Sequence, residues 1–272
     1  MVIISAFADE AAESLAGQIT ALKKHEFKYL DVRAIDGKNI KDLSARECKE
    51  YSSVLRDEGI SVNCIASPIG KIDVTVDFTA YTDIVKRIFE NAKIFGTDKI
   101  RVFSFYNAQK EKGRVFDCMN RFVELGRAFG VKLFSENEQG LYAERAVGAA
   151  ELLENVPGLN NLFDAANYVL TGQNIGEAVE LLAEKTEFFH AKDALYTGEI
   201  VPVGEGDGKI AETLKNRKGD LFLTLEPHLF EFGGLANLAA HGLKFKNRYD
   251  DPASAFDAGA AAFKKLLKAI GE

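Results

Sequence analysis

Short apolar runs alternate with amphipathic stretches along almost the whole chain. Eight runs have the length and composition of buried strands: Val2–Phe7, Tyr29–Arg33, Ser61–Ala66, Lys99–Phe105, Lys132–Glu136, Asn161–Asp164, Glu187–His190 and Leu221–Glu226. Between them apolar residues recur with a helical period, as in Leu15, Ile19 and Leu22, or Ile84, Ile88, Ala92 and Ile94–Phe95. The last helix is the best signalled. Asp251 suits the N-cap, Pro252 suits the first helical position, and Phe256, Ala260, Phe263, Leu267 and Ile270 line one face. Alternating strands and helices predict a parallel sheet. Eight such units predict closure, so the expected fold class is α/β, a (β/α)8 barrel. No Pro/Ser-rich linker or low-complexity stretch interrupts the pattern, and one domain over residues 1–272 is expected. An open doubly wound sheet is the alternative. Its dinucleotide fingerprint is missing: Gly204-Glu205-Gly206-Asp207-Gly208 lacks the GxGxxG spacing and carries acids that would repel a pyrophosphate.

Four of the apolar runs in the second half stop at a polar residue: Glu136, Asp164, His190 and Glu226. They are 28, 26 and 36 residues apart, which suits one strand, one crossover helix and the next strand. In a parallel barrel such strand ends converge on one face. A single polar residue there is often no more than a satisfied strand-end group. Four at matching positions in successive units point to a site. Two Glu, one Asp and one His are oxygen and imidazole ligands for a divalent cation. Three carboxylates overcompensate one such ion, and this hard set favours Mn2+, with Mg2+, Co2+ or Zn2+ as alternatives.

That ligand set suits chemistry next to a carbonyl. Moving a carbonyl along a sugar, or inverting the centre beside it, requires removal of an α-proton. The developing enediolate needs its oxygen charge neutralised, which a chelated divalent cation does as a Lewis acid. A carboxylate beside it serves as general base, typically contributing ~10²–10⁴-fold.

The strings Phe134-Ser135-Glu136-Asn137-Glu138, Phe163-Asp164-Ala165-Ala166-Asn167, His190-Ala191-Lys192-Asp193 and Leu225-Glu226-Pro227-His228 resemble the signature of the xylose isomerase-like TIM barrels. Gly204-Glu205-Gly206-Asp207 resembles that family's loop after the seventh strand, so the likeness spans essentially the whole chain. The family includes sugar isomerases and epimerases, hydroxypyruvate isomerase, inosose dehydratase and zinc-dependent abasic-site endonucleases. The resemblance implies that Glu136, Asp164, His190 and Glu226 are metal ligands. It further implies that Glu136 and Glu226 act as acid and base on the substrate.

Other residues are candidates for substrate contact. Lys192 lies two residues beyond His190, hence on the same side of an extended segment. It can hold a substrate oxygen or pair with Asp193 or Glu226. Glu138 shares a side with Glu136, at a position where many relatives carry histidine. Asn167 offers a polar contact, and His228 either orients Glu226 or bonds the backbone. Arg33, Lys71 and Arg101 lie near strand ends and can grip an anionic group or serve in buried ion pairs. Tyr106 and Phe7 can wall the pocket or pack in the barrel core.

Charge narrows the partners. The formal net charge of −7 gives no general attraction to nucleic acid. An endonuclease of this fold needs a histidine-rich cluster, whereas the chain has 4 histidines, and His25 falls in the turn before the second strand, on the opposite barrel face. No segment approaches the roughly 20 apolar residues that cross a membrane. Met1-Val2-Ile3-Ile4 enters a strand-like run at once, so no signal peptide is expected. The 3 cysteines, without CxxC spacing, read as free thiols in a reducing cytoplasm. A homo-oligomer stays open, since no isolated apolar stripe marks a surface for it. The expectation is therefore a metal-dependent isomerase or epimerase of a small sugar or polyhydroxy carbonyl compound. A dehydratase of an inosose-like substrate is the alternative, ahead of an abasic-site endonuclease or a non-catalytic sugar-binding barrel. Glu205 and Asp207, in a loop where barrels often bind phosphate, argue against a phosphorylated substrate.

Overall fold

The computed structural model describes residues 1–215, 217, 219–231 and 244–272. Eight parallel strands form the barrel: β1 (Val2–Ala6), β2 (Tyr29–Val32), β3 (Ser61–Ile65), β4 (Lys99–Val102), β5 (Lys132–Glu136), β6 (Leu159–Asp164), β7 (Thr186–Ala191) and β8 (Leu221–Leu225). Each pairs with its sequence neighbours, and β1 pairs with β8, which closes the sheet. This is the (β/α)8 TIM barrel expected from the sequence.

Seven of the strands match their expected spans within one or two residues. β4 does not. The apolar run continues to Phe105, but the strand stops at Val102. Phe105 takes a left-handed backbone (φ 69°), and Phe103 and Phe105 turn their N–H groups to Ile69 and Gly70 of the loop after β3, at 2.7 and 3.0 Å. The run is buried, but its backbone pairs with a loop while the Phe105 ring stacks on Phe122.

Local signals set the helices. Ser14 caps α1 (Leu15–Lys24) by accepting from the Gly17 N–H. Ser44 and Glu47 form a reciprocal capping box at α2 (Ala45–Asp57). α3 (Phe78–Phe95), α4 (Lys112–Phe129) and α5 (Ala146–Asn155) follow β3, β4 and β5. The β6–β7 connection holds two helices, α6 (Ala165–Leu170) and α7 (Ile175–Leu182). A short α8 (Ile210–Leu214) precedes β8, and α9 (Pro252–Ile270) carries the expected Asp251 cap with Pro252 in its first turn. After β7, Asp193–Ala194 pairs antiparallel with Glu199–Val201, which runs parallel to Lys244–Phe245.

The barrel interior is layered by polarity. Ile3, Cys64, Phe134, Leu162, Phe188 and Phe222 fill an apolar layer. Nearer the carboxyl ends of β1, β2 and β8, Ser5, Asp31 and Thr224 form a polar one: Asp31 accepts from Ser5 Oγ (2.6 Å), Asn63 Nδ2 (2.9 Å) and Thr224 Oγ1 (2.9 Å). Thr224 is the register partner of His190, and His190 of Asp164, so the strand pairing itself brings the polar ends into one ring. Among the described residues, no helix is long and apolar enough to cross a membrane. All three cysteines are free and buried.

Candidate metal centre and active site

Glu136, Asp164, His190 and Glu226 meet as their strand positions require. Each offers a ligand atom within 4.8 Å of the others. All are buried, with exposures of 0 to 2%. His190 Nδ1 is the common point: Glu226 Oε2 lies at 3.1 Å, Glu136 Oε1 at 3.2 Å and Asp164 Oδ2 at 3.7 Å. The imidazole is held edge-on between the Phe7 and Phe188 rings, with centroids at 5.3 and 5.9 Å.

Cations surround this ring of acids. Lys192 Nζ lies 2.7 Å from Asp164 Oδ2 and 3.2 Å from Glu226 Oε2, and does not pair with Asp193. Arg101 Nη1 is 3.1 Å from Glu136 Oε2. Arg33 Nη1 is 3.1 Å from Glu226 Oε1, while its other nitrogens grip Asp9 (2.8 and 3.0 Å) and Glu10 (3.1 Å). Arg33 and Arg101 are thus buried ion-pair partners. Lys71 pairs with Glu138 at 2.7 Å, a quarter exposed and stacked over the Phe103 ring.

These partners decide the protonation states. Burial opposes charge on Glu136, but His190 and Arg101 outweigh it and hold the carboxyl down at about 2. Glu226 is likewise pulled well below the usual range, burial being overcome by Lys192 and His190. Burial also disfavours charge on His190, yet Glu136 and Glu226 raise its pKa well above 6.5. Burial drives the His228 imidazole well below 6.5.

Asn137 and Asn167 brace the acids. Asn137 exchanges two 2.9 Å hydrogen bonds with the Asp164 backbone. Asp164 also caps α6, its Oδ1 accepting the Asn167 N–H at 2.9 Å. Asn167 Nδ2 donates to the Asn137 carbonyl (2.8 Å) and reaches Glu136 Oε1 at 3.4 Å. His228 Nε2 sits 3.5 Å from Glu10 and 3.7 Å from Glu226, so it lies beside the acids as well as in a loop. Tyr106 is half-buried, its phenol raised by burial and by the Glu138 charge. His25 is far from the site, hydrogen-bonded to Asp257 at the end of α1.

Residues 19–267 match the family described as Xylose isomerase-like TIM barrel. The chain belongs to that family. A comparison with curated proteins gives no match. Among solved structures, D-psicose 3-epimerase in the presence of D-fructose superposes with a TM-score of 0.76 at 13% identity, over 99% of this chain and 100% of that one. The IOLI protein with a bound zinc atom gives 0.75 at 16%, over 99% and 100%. The probable 3-DHS dehydratase AsbF from Bacillus anthracis gives 0.70 at 17%, over 97% and 98%. At these identities the likeness is one of fold.

The residues of this family member fit a divalent cation. Three carboxylates and an imidazole, the oxygen and nitrogen donors such an ion takes, bring one ligand atom each to within 4.8 Å of one another. Six carboxylates (Asp9, Glu10, Glu136, Glu138, Asp164, Glu226) face four permanent cations (Arg33, Lys71, Arg101, Lys192), a formal deficit of two. Burial pushes Glu10 up to about 8 despite Arg33.

Asp9, Glu10, Asn137 and Asp31 were not singled out from the sequence. Asp9 and Glu10 follow β1 as an acidic pair beyond a strand end, the signal that marked the quartet, but they sit one turn further on, in a 3-10 segment. The loop Gly204–Gly208 also differs from its expected reading. Asp193 accepts the N–H groups of Gly204, Gly206 and Gly208 at 2.9 to 3.1 Å. The backbone donors a phosphate would need are already engaged by the chain's own carboxylate, a stronger obstacle than the exposed Glu205.

Proposed function

We propose that the chain is a divalent-metal-dependent isomerase or epimerase of a small sugar or polyhydroxy carbonyl compound. The observation that carries this reading is the convergence of Glu136, Asp164, His190 and Glu226 on one buried point at the carboxyl end of the barrel. These four residues would hold the ion, Mn2+ first by the hardness of the set, with Mg2+, Co2+ or Zn2+ as alternatives. When bound, it would supply Lewis-acid neutralisation of the oxygen charge that develops on the substrate.

Glu136 and Glu226 handle the proton. Both rest as carboxylates, ready to accept one. They come from β5 and β8, with β6 and β7 between them, so one can take a proton and the other return it from a different side. Lys192, Glu138, Asn167 and Lys71 contact substrate oxygens, while Arg33 and His228 hold Glu226 and Glu10 in place. The free thiols suit a cytoplasmic enzyme. The D-psicose 3-epimerase and probable dehydratase likenesses fit this chemistry, since both reaction types begin with loss of an α-proton.

The test is a panel of ketoses, inososes and short hydroxy-aldehydes incubated with Mn2+ in deuterated water, beside abasic duplex DNA. Deuterium should enter the carbon next to the carbonyl, a chelator should abolish turnover, and Glu136→Gln or Glu226→Gln, each assayed with Mn2+ raised to saturation, should lower kcat by about 10²-fold or more with little change in KM. Product without solvent label removes the base assignment. DNA nicking lost in His190→Ala, with every sugar inert, transfers the chain to the endonuclease branch.

A further inference from the structure

Lys192 pairs with Glu226, one of the two partners its position allowed, and with Asp164 as well. Asp164 Oδ1 is engaged by the Asn167 N–H, and Glu226 Oε1 by Arg33. That leaves Asp164 Oδ2 and Glu226 Oε2 as the oxygens facing His190 Nδ1, at 3.7 and 3.1 Å. Lys192 Nζ holds those same two oxygens, at 2.7 and 3.2 Å. It does so from a side chain 3% exposed, rising two residues after His190.

A divalent cation ligated by Asp164, His190 and Glu226 needs the oxygens that the ammonium holds. Metal–oxygen bonds are roughly 2.0–2.2 Å for such ions. Two cations sharing both oxygens would stand within a few ångströms of each other, a costly repulsion in a buried site. Resting on the metal reading above, we propose that Lys192 is a built-in competitor for the metal site: its ammonium stands in for the ion, and loading the ion releases it toward the substrate. The lysine keeps buried carboxylates paired before loading, which otherwise would be left uncompensated. Once displaced, the same ammonium is free to meet a substrate oxygen. Metal loading and the readiness of the substrate contact are thus one event.

Isothermal titration with Mn2+ alone tests this on the full chain. Lys192→Met, which keeps the length and loses the charge, should bind Mn2+ at least about tenfold more tightly than wild type. Lys192→Arg should stay within about threefold. Equal or weaker binding by Lys192→Met overturns the inference while the metal reading stands. Binding by Lys192→Met alone supports it. Binding by no variant, wild type included, overturns both. A measurement on wild type guards against a variant that does not fold. With 13C,15N-labelled lysines, the Lys192 Cε and Nζ resonances should shift on titration with diamagnetic Mg2+ or Zn2+, and resonances that stay in place as the ion binds overturn the release.

Discussion

At Glu10 a carboxyl group is fully buried between Arg33 and the His228 backbone, whose N–H it accepts at 2.7 Å. Burial outweighs Arg33 and lifts its pKa from 4.5 to about 8. An acid whose folded pKa is raised contributes stability that is full below its unfolded pKa and lost as pH rises through the folded value. Wild type should therefore lose stability between about pH 4.5 and 8, by on the order of 2 kcal/mol after allowing for its coupled neighbours. Glu10→Gln cannot titrate, so urea unfolding in the presence of a chelator should give a flatter curve, with the variant gaining on wild type as pH rises. Parallel curves would show that Glu10 stays ionised. The residue shows where sequence reasoning stops. Glu136, Asp164, His190 and Glu226 were legible because each ends an apolar run, and that position alone fixes where they meet. Arg33, Lys71, Arg101 and Lys192 were legible as strand-end cations, but their partners depend on side chains from other β/α units. Asp9 and Glu10 follow a strand end too, but one turn on, and their partners, like those of Asn137, come from the neighbouring β/α units.

At the scale of elements, the loop after β3 shows how tightly the mouth of the barrel is built. Gly70 (φ 85°) lies along Phe103, and a Cβ there would stand 1.9 Å from the Phe103 carbonyl oxygen. The same loop presents Lys71 to Glu138. Gly70→Ala must shift backbone, and should cost about 2–4 kcal/mol in chemical unfolding. Gly59, also left-handed (φ 73°) but with open space around its Cβ, is the control; Gly59→Ala should cost only about 1 kcal/mol. Equal losses would mean that the close approach to Phe103 is relieved at little cost. This pairing also explains the misplaced end of β4. The hydrophobic run marks residues 103–105 as buried, but burial against a loop and burial in a sheet look the same in sequence. The helices were more legible because their caps are local: the Asp251–Pro252 start of α9 appears where its residues predict.

For the whole molecule, closure of eight parallel strands follows from the count of β/α units, and the family match over residues 19–267 agrees with it. Closure turns four separate strand ends into one buried cluster. We propose that this cluster is a single divalent-metal site. Its most direct test is elemental analysis of protein dialysed against Mn2+, Co2+ or Zn2+, beside Glu136→Gln, Asp164→Asn, His190→Gln and Glu226→Gln. The account predicts close to one ion per chain in wild type and at least about tenfold weaker retention in each variant. A wild-type chain that holds no ion under any loading condition, or variants that retain it as well as wild type, would contradict it.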